Sequence, residues 1–227
     1  MTAAERSAAL RDVPASVGQR LLWFLDRYRA GGAALNCPLV CRLDGPLDVP
    51  RLRASIGLLV SRHEALRTTI ERRGRLLRQV VHATPDPRLD VVDVSAEYDA
   101  EQSALRGVER ELRTRIDPGG FPVRATLWKI AAYSHLFCLN VHHLASDAWS
   151  GWIQMRDVTS FYAAGAAPSD AAHQPALQYA DFTARQDDYL RSAGFAQDLR
   201  YWREHLAGAR FDTVPLAAAD AARPRRT

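Results

Sequence analysis

Residues 135–147 read His135-Leu136-Phe137-Cys138-Leu139-Asn140-Val141-His142-His143-Leu144-Ala145-Ser146-Asp147. Leu136 and Cys138 alternate with Phe137, Leu139 and Val141, so the run is apolar on both faces and predicts a central strand. Successive side chains on a strand point to opposite faces, so His142 and His143 cannot both enter one site. One ring can face a substrate while the other supports it from behind. A metal centre does not fit, for the same reason and because no third ligand stands at a suitable spacing. From Asp147 a helix is predicted to about Ala164, with Gly165 as its stop signal.

Working outward, Val123 to Ala131 forms a second strand, joined to the first at Ala132-Tyr133-Ser134. Leu105, Val108, Leu112 and Ile116 give a helical stripe ended by Asp117-Pro118-Gly119-Gly120. Leu89 to Val94 is a short strand. Arg67 to Ile70 and Leu76 to Val81 flank Arg73-Gly74 as a hairpin. Asp48 caps a helix with Pro50 in its first turn and Leu52, Ile56, Leu59 and Val60 on one face. Leu35, Cys37, Leu39, Cys41 and Leu43 alternate as a strand that Pro38 places at a sheet edge or an irregularity. Ser16 and Gln19 form a capping box, and the helix after them holds Leu21, Leu22, Trp23, Phe24, Leu25 and Tyr28. So apolar a helix is expected to be buried all round. Two further helices carry Tyr179, Phe182 and Tyr189, then Phe195, Leu199, Trp202 and Leu206. Interleaved strands and helices predict one α/β domain over residues 14–208, with a flexible terminus at 1–13 and a linker or truncated tail at 209–227.

The 227 residues leave ample room for a core. The formal charge of +4 does not point to nucleic acid: the cations are arginines apart from Lys129, and they alternate with acids along helical stretches. Cys37 and Cys41 share a strand ~13 Å apart, beyond disulfide reach, and with Cys138 read as buried free thiols of a reducing compartment. The first residues have no apolar core of a signal peptide and no segment reaches spanning length, so no membrane partner and a cytoplasmic location are expected.

His142-His143-Leu144-Ala145-Ser146-Asp147-Ala148-Trp149-Ser150 resembles the HHxxxDG motif of condensation domains from nonribosomal peptide synthetases, which share the chloramphenicol-acetyltransferase-like fold. Three other stretches match in order. Residues 16–25, from Ser16 through Gln19 and Arg20 to Trp23, Phe24 and Leu25, resemble SxAQxRLWFL. Residues 62–68, Arg62-His63-Glu64-Ala65-Leu66-Arg67-Thr68, resemble RHExLRT. Tyr179-Ala180-Asp181-Phe182 with Tyr201-Trp202 resembles the YxDF…YW segment that closes the first half of such domains. The resemblance implies an α/β fold of the α+β two-layer sandwich type, a mixed sheet with flanking helices. It implies the N-terminal lobe of a two-lobe domain, without the second lobe that completes the reaction tunnel. The face toward that lobe is expected to be unusually apolar.

In that family an amine on one carrier protein attacks a thioester on another, giving an amide and a free pantetheine thiol. The resemblance therefore implies donor and acceptor carrier domains and a C-terminal lobe, on the same or another chain, as partners. No cofactor is bound directly; substrates ride on phosphopantetheine arms. By the family pattern His143 is the tunnel-facing ring, and with a reference pKa of ~6.5 it can accept or share the amine proton. Its role as base, as anchor for the amine or as stabiliser of the tetrahedral intermediate stays open. His142, Asp147, Arg67 and Ala148 are its structural support. The resemblance implies a buried Asp147–Arg67 salt bridge; His63 and Glu64 read as helix-end structure, and Asp181, Tyr201 and Trp202 as packing and capping residues. Ala148 replaces the family glycine, and if that turn needs a positive φ the loop must shift. The isolated lobe is expected to lack turnover. The alternatives are a non-catalytic module that docks carriers or a partner lobe, and a stand-alone acyltransferase using small thioesters.

Overall fold

The computed structural model describes residues 9–28, 32–83, 88–165, 175 and 177–209. The strands are β1 (Ala9–Pro14), β2 (Asn36–Asp44), β3 (Thr68–Arg73), β4 (Leu76–His82), β5 (Leu89–Asp93), β6 (Val123–Ala131) and β7 (Ser134–His142). The helices are α1 (Val17–Tyr28), α2 (Val49–Arg62), α3 (Ala100–Arg113), α4 (Ala148–Ala163), α5 (Tyr179–Leu190) and α6 (Ala193–His205), with a 3₁₀ turn at Glu64–Arg67. They fall into two compact units, Met1–Ala184 and Arg185–Thr227, so the boundary lies within α5.

The first unit holds two sheets, ordered β1-β4-β3 and β2-β7-β6-β5. The larger sheet is mixed: β5 runs parallel to β6, while β2, β7 and β6 are antiparallel. Pro38 lies on β2, the edge strand, where a missing N–H costs no ladder bond. β7 is interior and buried from His135 to His142, as its two-sided apolarity predicts. On one face Ile56 and Leu59 of α2 and Val158 and Phe161 of α4 pack onto Leu127, Phe137, Leu139 and Val141. On the other, Ala104 and Val108 of α3 pack onto Trp128, Leu136 and Cys138. In the smaller sheet β3 and β4 form the predicted hairpin, and Gly74 at φ +62° supplies the conformation its tight turn needs.

Three expectations are revised. Residues 9–13 are not a flexible leader: β1 pairs with β4, and Arg11 ties it to Glu64 (3.1 Å) and Asp181 (2.5 Å). Its charged sequence hides an edge strand, whose register is set by its partner and not by its own pattern. Helix α1 is not buried all round. Gln19 and Asp26 face inward, while Leu21, Phe24 and Tyr28 are exposed, Tyr28 by 80%. Helix α3 ends at Arg113, three residues early, and exposes Leu105, because its inner face is built from Ala104 and Val108 around the Trp128 indole. Residues 1–8, the Pro/Ala/Ser-rich stretch at 166–174 and the tail from 210 lie outside the described residues.

In the second unit α6 is capped by Ser192, whose Oγ accepts the Phe195 N–H (3.2 Å). Tyr201 and Trp202 meet edge to face at 5.4 Å and are more than half exposed.

Candidate active site

The turn after β7 separates the two histidines. The His142 N–H donates to the Pro122 carbonyl (2.8 Å), the His143 N–H to the Leu35 carbonyl (2.7 Å), and the Ala145 N–H closes back on the His142 carbonyl (2.9 Å). His142 is 1% exposed, whereas His143 is exposed and lines a cleft of about 350 Å³. Gln19, Leu22, His63, Ser146, Asp147, Ile153, Gln154 and Tyr179 share that cleft. The opposed orientation expected of the pair is what the structure shows.

Hydrogen bonds assign the proton on each ring. Nδ1 of His143 lies 2.6 Å from the Ser146 carbonyl oxygen, an acceptor only, so Nδ1 carries the proton and Nε2 keeps the lone pair. Nδ1 of His142 instead accepts the Leu144 N–H (3.0 Å), which leaves its proton on Nε2. That nitrogen lies 3.6 Å from Asp26 Oδ1, an electrostatic contact longer than a hydrogen bond. Burial drives the His142 pKa below its ordinary value despite the nearby Asp26, so the ring is neutral and helps close the turn. Asp26 is itself buried, with Arg115 Nε at 3.3 Å and Nη2 on its second oxygen.

Asp26 and Arg115 were missed in the sequence. Each is an ordinary charged residue with its partner 89 positions away. The available signal was an acid on the apolar helix α1.

Asp147 is the N-cap of α4: Oδ1 accepts the Ser150 N–H (2.7 Å) and the Ser150 hydroxyl (2.6 Å). Those two bonds hold its carboxyl below the usual range, burial opposing them. It does not pair with Arg67. The Arg67 guanidinium reaches Glu64 Oε1 (3.8 Å) and the His82 carbonyl (2.5 Å), deep in the first unit. The expected Asp147–Arg67 bridge is thus replaced by a helix cap at one end and an Arg67–Glu64–Arg11 cluster at the other. The cap wins because Asp147 sits where a helix has orphan N–H groups. Ala148 is the first residue of α4, where a helical backbone has negative φ, so its methyl imposes no strain on the turn.

The flanking motifs frame the cleft. The capping box is reciprocal, Ser16 N–H to Gln19 Oε1 (2.9 Å) and Gln19 N–H to Ser16 Oγ (3.1 Å), and Tyr179 Oη lies 2.8 Å from Ser16 Oγ. His63 ends α2, and its Nε2 meets Asp157 Oδ2 at 2.8 Å. Burial works against the Asp157 charge, yet His63, Arg156 and Arg62 outweigh it and keep the carboxyl below its usual range. Asp181 accepts the Gln178 N–H (2.9 Å) at the start of α5, the capping role expected, and adds the ion pair to Arg11.

Comparisons with known proteins agree with this fold. The condensation-domain family model matches residues 10–227. A linear gramicidin synthase chain of Brevibacillus parabrevis is 37% identical over 219 residues, covering 94% of this chain and 3% of that protein. Chondramide synthase of Chondromyces crocatus is 33% identical over 218 residues, covering 93% and 5%. Among solved structures, the starter condensation domain of rhizomide synthetase superposes with a TM-score of 0.78 at 19% identity, over 88% of this chain and 49% of that one. The X-domain solved in complex with OxyB from teicoplanin biosynthesis gives 0.75 at 29% identity, over 94% and 48%. The chain thus spans a few per cent of the length of these synthetases and about half of the solved domains. A match over nearly the whole chain places this protein in the condensation-domain family.

Proposed function

We propose that this chain supplies the histidine-bearing half of an amide-forming centre in nonribosomal peptide assembly. The observation that carries the reading is the 2.6 Å contact of His143 Nδ1 with the Ser146 carbonyl, an acceptor, which makes Nδ1 the donor and leaves Nε2 as the acceptor nitrogen of a ring that lines the cleft. The substrates are acyl or aminoacyl thioesters on phosphopantetheine arms of donor and acceptor carrier domains. No cofactor enters the bond-making step. The acceptor amine attacks the thioester carbonyl, the C–N bond forms, the C–S bond breaks, and the amine proton finishes on the departing thiol. A thioester is already activated, so holding both arms in one channel is the main demand and is worth several kcal/mol. Nε2 of His143 accepts the amine's hydrogen bond and takes or shares its proton as the tetrahedral intermediate forms. His142 acts on the turn, Asp147 and Ala148 on the start of α4, and Arg67 on the Glu64 and His82 cluster, all away from the reacting atoms.

The chain alone forms only part of such a channel and is expected to give no measurable product. The test joins it to a complementary C-terminal half, supplies loaded donor and acceptor carriers, and follows the amide product by mass spectrometry. His143→Ala is expected to reduce the rate by ~10²–10⁴-fold. Equal product from both proteins would overturn the assignment. A second reading, a docking module, rests on the likeness to the X-domain solved in complex with OxyB. It gains if the joined protein binds carriers yet makes no amide.

A further inference from the structure

Gln154 lies on α4 two turns beyond its cap and is 4% exposed. Its Nε2 donates to Ser146 Oγ (3.0 Å), while its Oε1 is buried with no hydrogen-bond partner. Ser146 is also buried, and its backbone carbonyl is the oxygen that receives the His143 Nδ1 proton at 2.6 Å. The Cys37 thiol approaches that same carbonyl at 3.7 Å. One residue therefore links the buried amide to the ring.

We propose that Gln154 is a positioning residue for His143, acting through Ser146 to hold the carbonyl that selects the Nδ1–H tautomer. An amide with one end orphaned in the interior is costly. An apolar residue of similar size would pack here with no unmet polar atom. Stability by itself therefore argues against glutamine at this position, and what the glutamine adds is its grip on Ser146. The two ends of the side chain make opposite predictions, which a purely structural residue does not.

The chain can be tested as it stands, and this arm does not depend on the proposed amide-forming activity. In Gln154→Leu the thermal midpoint is expected to rise by ~2–4 °C as the orphan is removed. Nitrogen-15 NMR of the unmodified chain is expected to show His143 as the Nδ1–H tautomer, and Gln154→Leu to show a substantial Nε2–H population. Gln154→Met is the second variant, should leucine not be accommodated. In the joined enzyme the same substitution is expected to lower kcat about tenfold with KM nearly unchanged, as for a group that acts only as the transition state forms. An unchanged His143 tautomer in both variants overturns the proposal. If His143→Ala keeps full activity, the proposed function falls instead, and the NMR comparison still decides the role of Gln154.

Discussion

Arg67 and Asp147 act in different networks, and the energetic consequences differ. Arg67 is almost wholly buried against Glu64 and the His82 carbonyl, so Arg67→Ala leaves that carbonyl without its donor and Glu64 with Arg11 alone (3.1 Å), and is expected to cost ~1–3 kcal/mol. Asp147→Ala removes one helix cap and is expected to cost about 1 kcal/mol. In a double-mutant cycle by urea unfolding, the Asp147–Arg67 coupling should be near zero and the Glu64–Arg67 coupling large; the reverse pattern would restore the direct bridge. His142 carries the pH dependence. Its folded pKa lies below the ordinary 6.5, so an unfolded chain binds its proton more readily. The stability it contributes is present above that value and is lost as pH falls through the folded pKa. Unfolding midpoints should therefore drop between about pH 7.5 and about pH 5, and part of that drop should vanish in His142→Asn, whose side-chain oxygen can still accept the Leu144 N–H without titrating.

At the scale of the elements, α3 and β6 meet through a glycine. A methyl on Gly107 would lie 2.2 Å from Nε1 of Trp128, a ring only 4% exposed, so one of the two must shift. Alanine in a helix is ordinarily better than glycine by ~0.5–1 kcal/mol, but overpacking costs ~1–3 kcal/mol, and here the second effect wins. Gly107→Ala is expected to lower stability by ~1–2 kcal/mol in chemical denaturation; a stabilised variant would show that the indole can move. The same contact explains why α3 was only partly legible. Its helical period is plain, but which residues face inward depends on the tryptophan across the interface. The hairpin, the caps at Ser16 and Asp48, and the interior strand β7 were readable because each depends on neighbours within a few residues.

At the scale of the molecule, the chain covers about half of the solved condensation domains it matches, and it exposes the side of α1 that carries Leu21, Phe24 and Tyr28. Pattern and local chemistry sufficed for the back-to-back histidines and for most of the element order, though not for β1, and the resemblance of four motifs pointed to the family. Strand alternation, helical period and caps act over a few residues, so they are written along the chain. Which charges meet was settled only by folding. The Asp26–Arg115 pair behind His142, the transfer of Arg67 from Asp147 to Glu64, and the reach of Gln154 to Ser146 all depend on how helices and strands pack across the sheet. An ion pair between residues 89 positions apart has no period or motif to announce it, because its energy depends on distances that exist only in the folded chain.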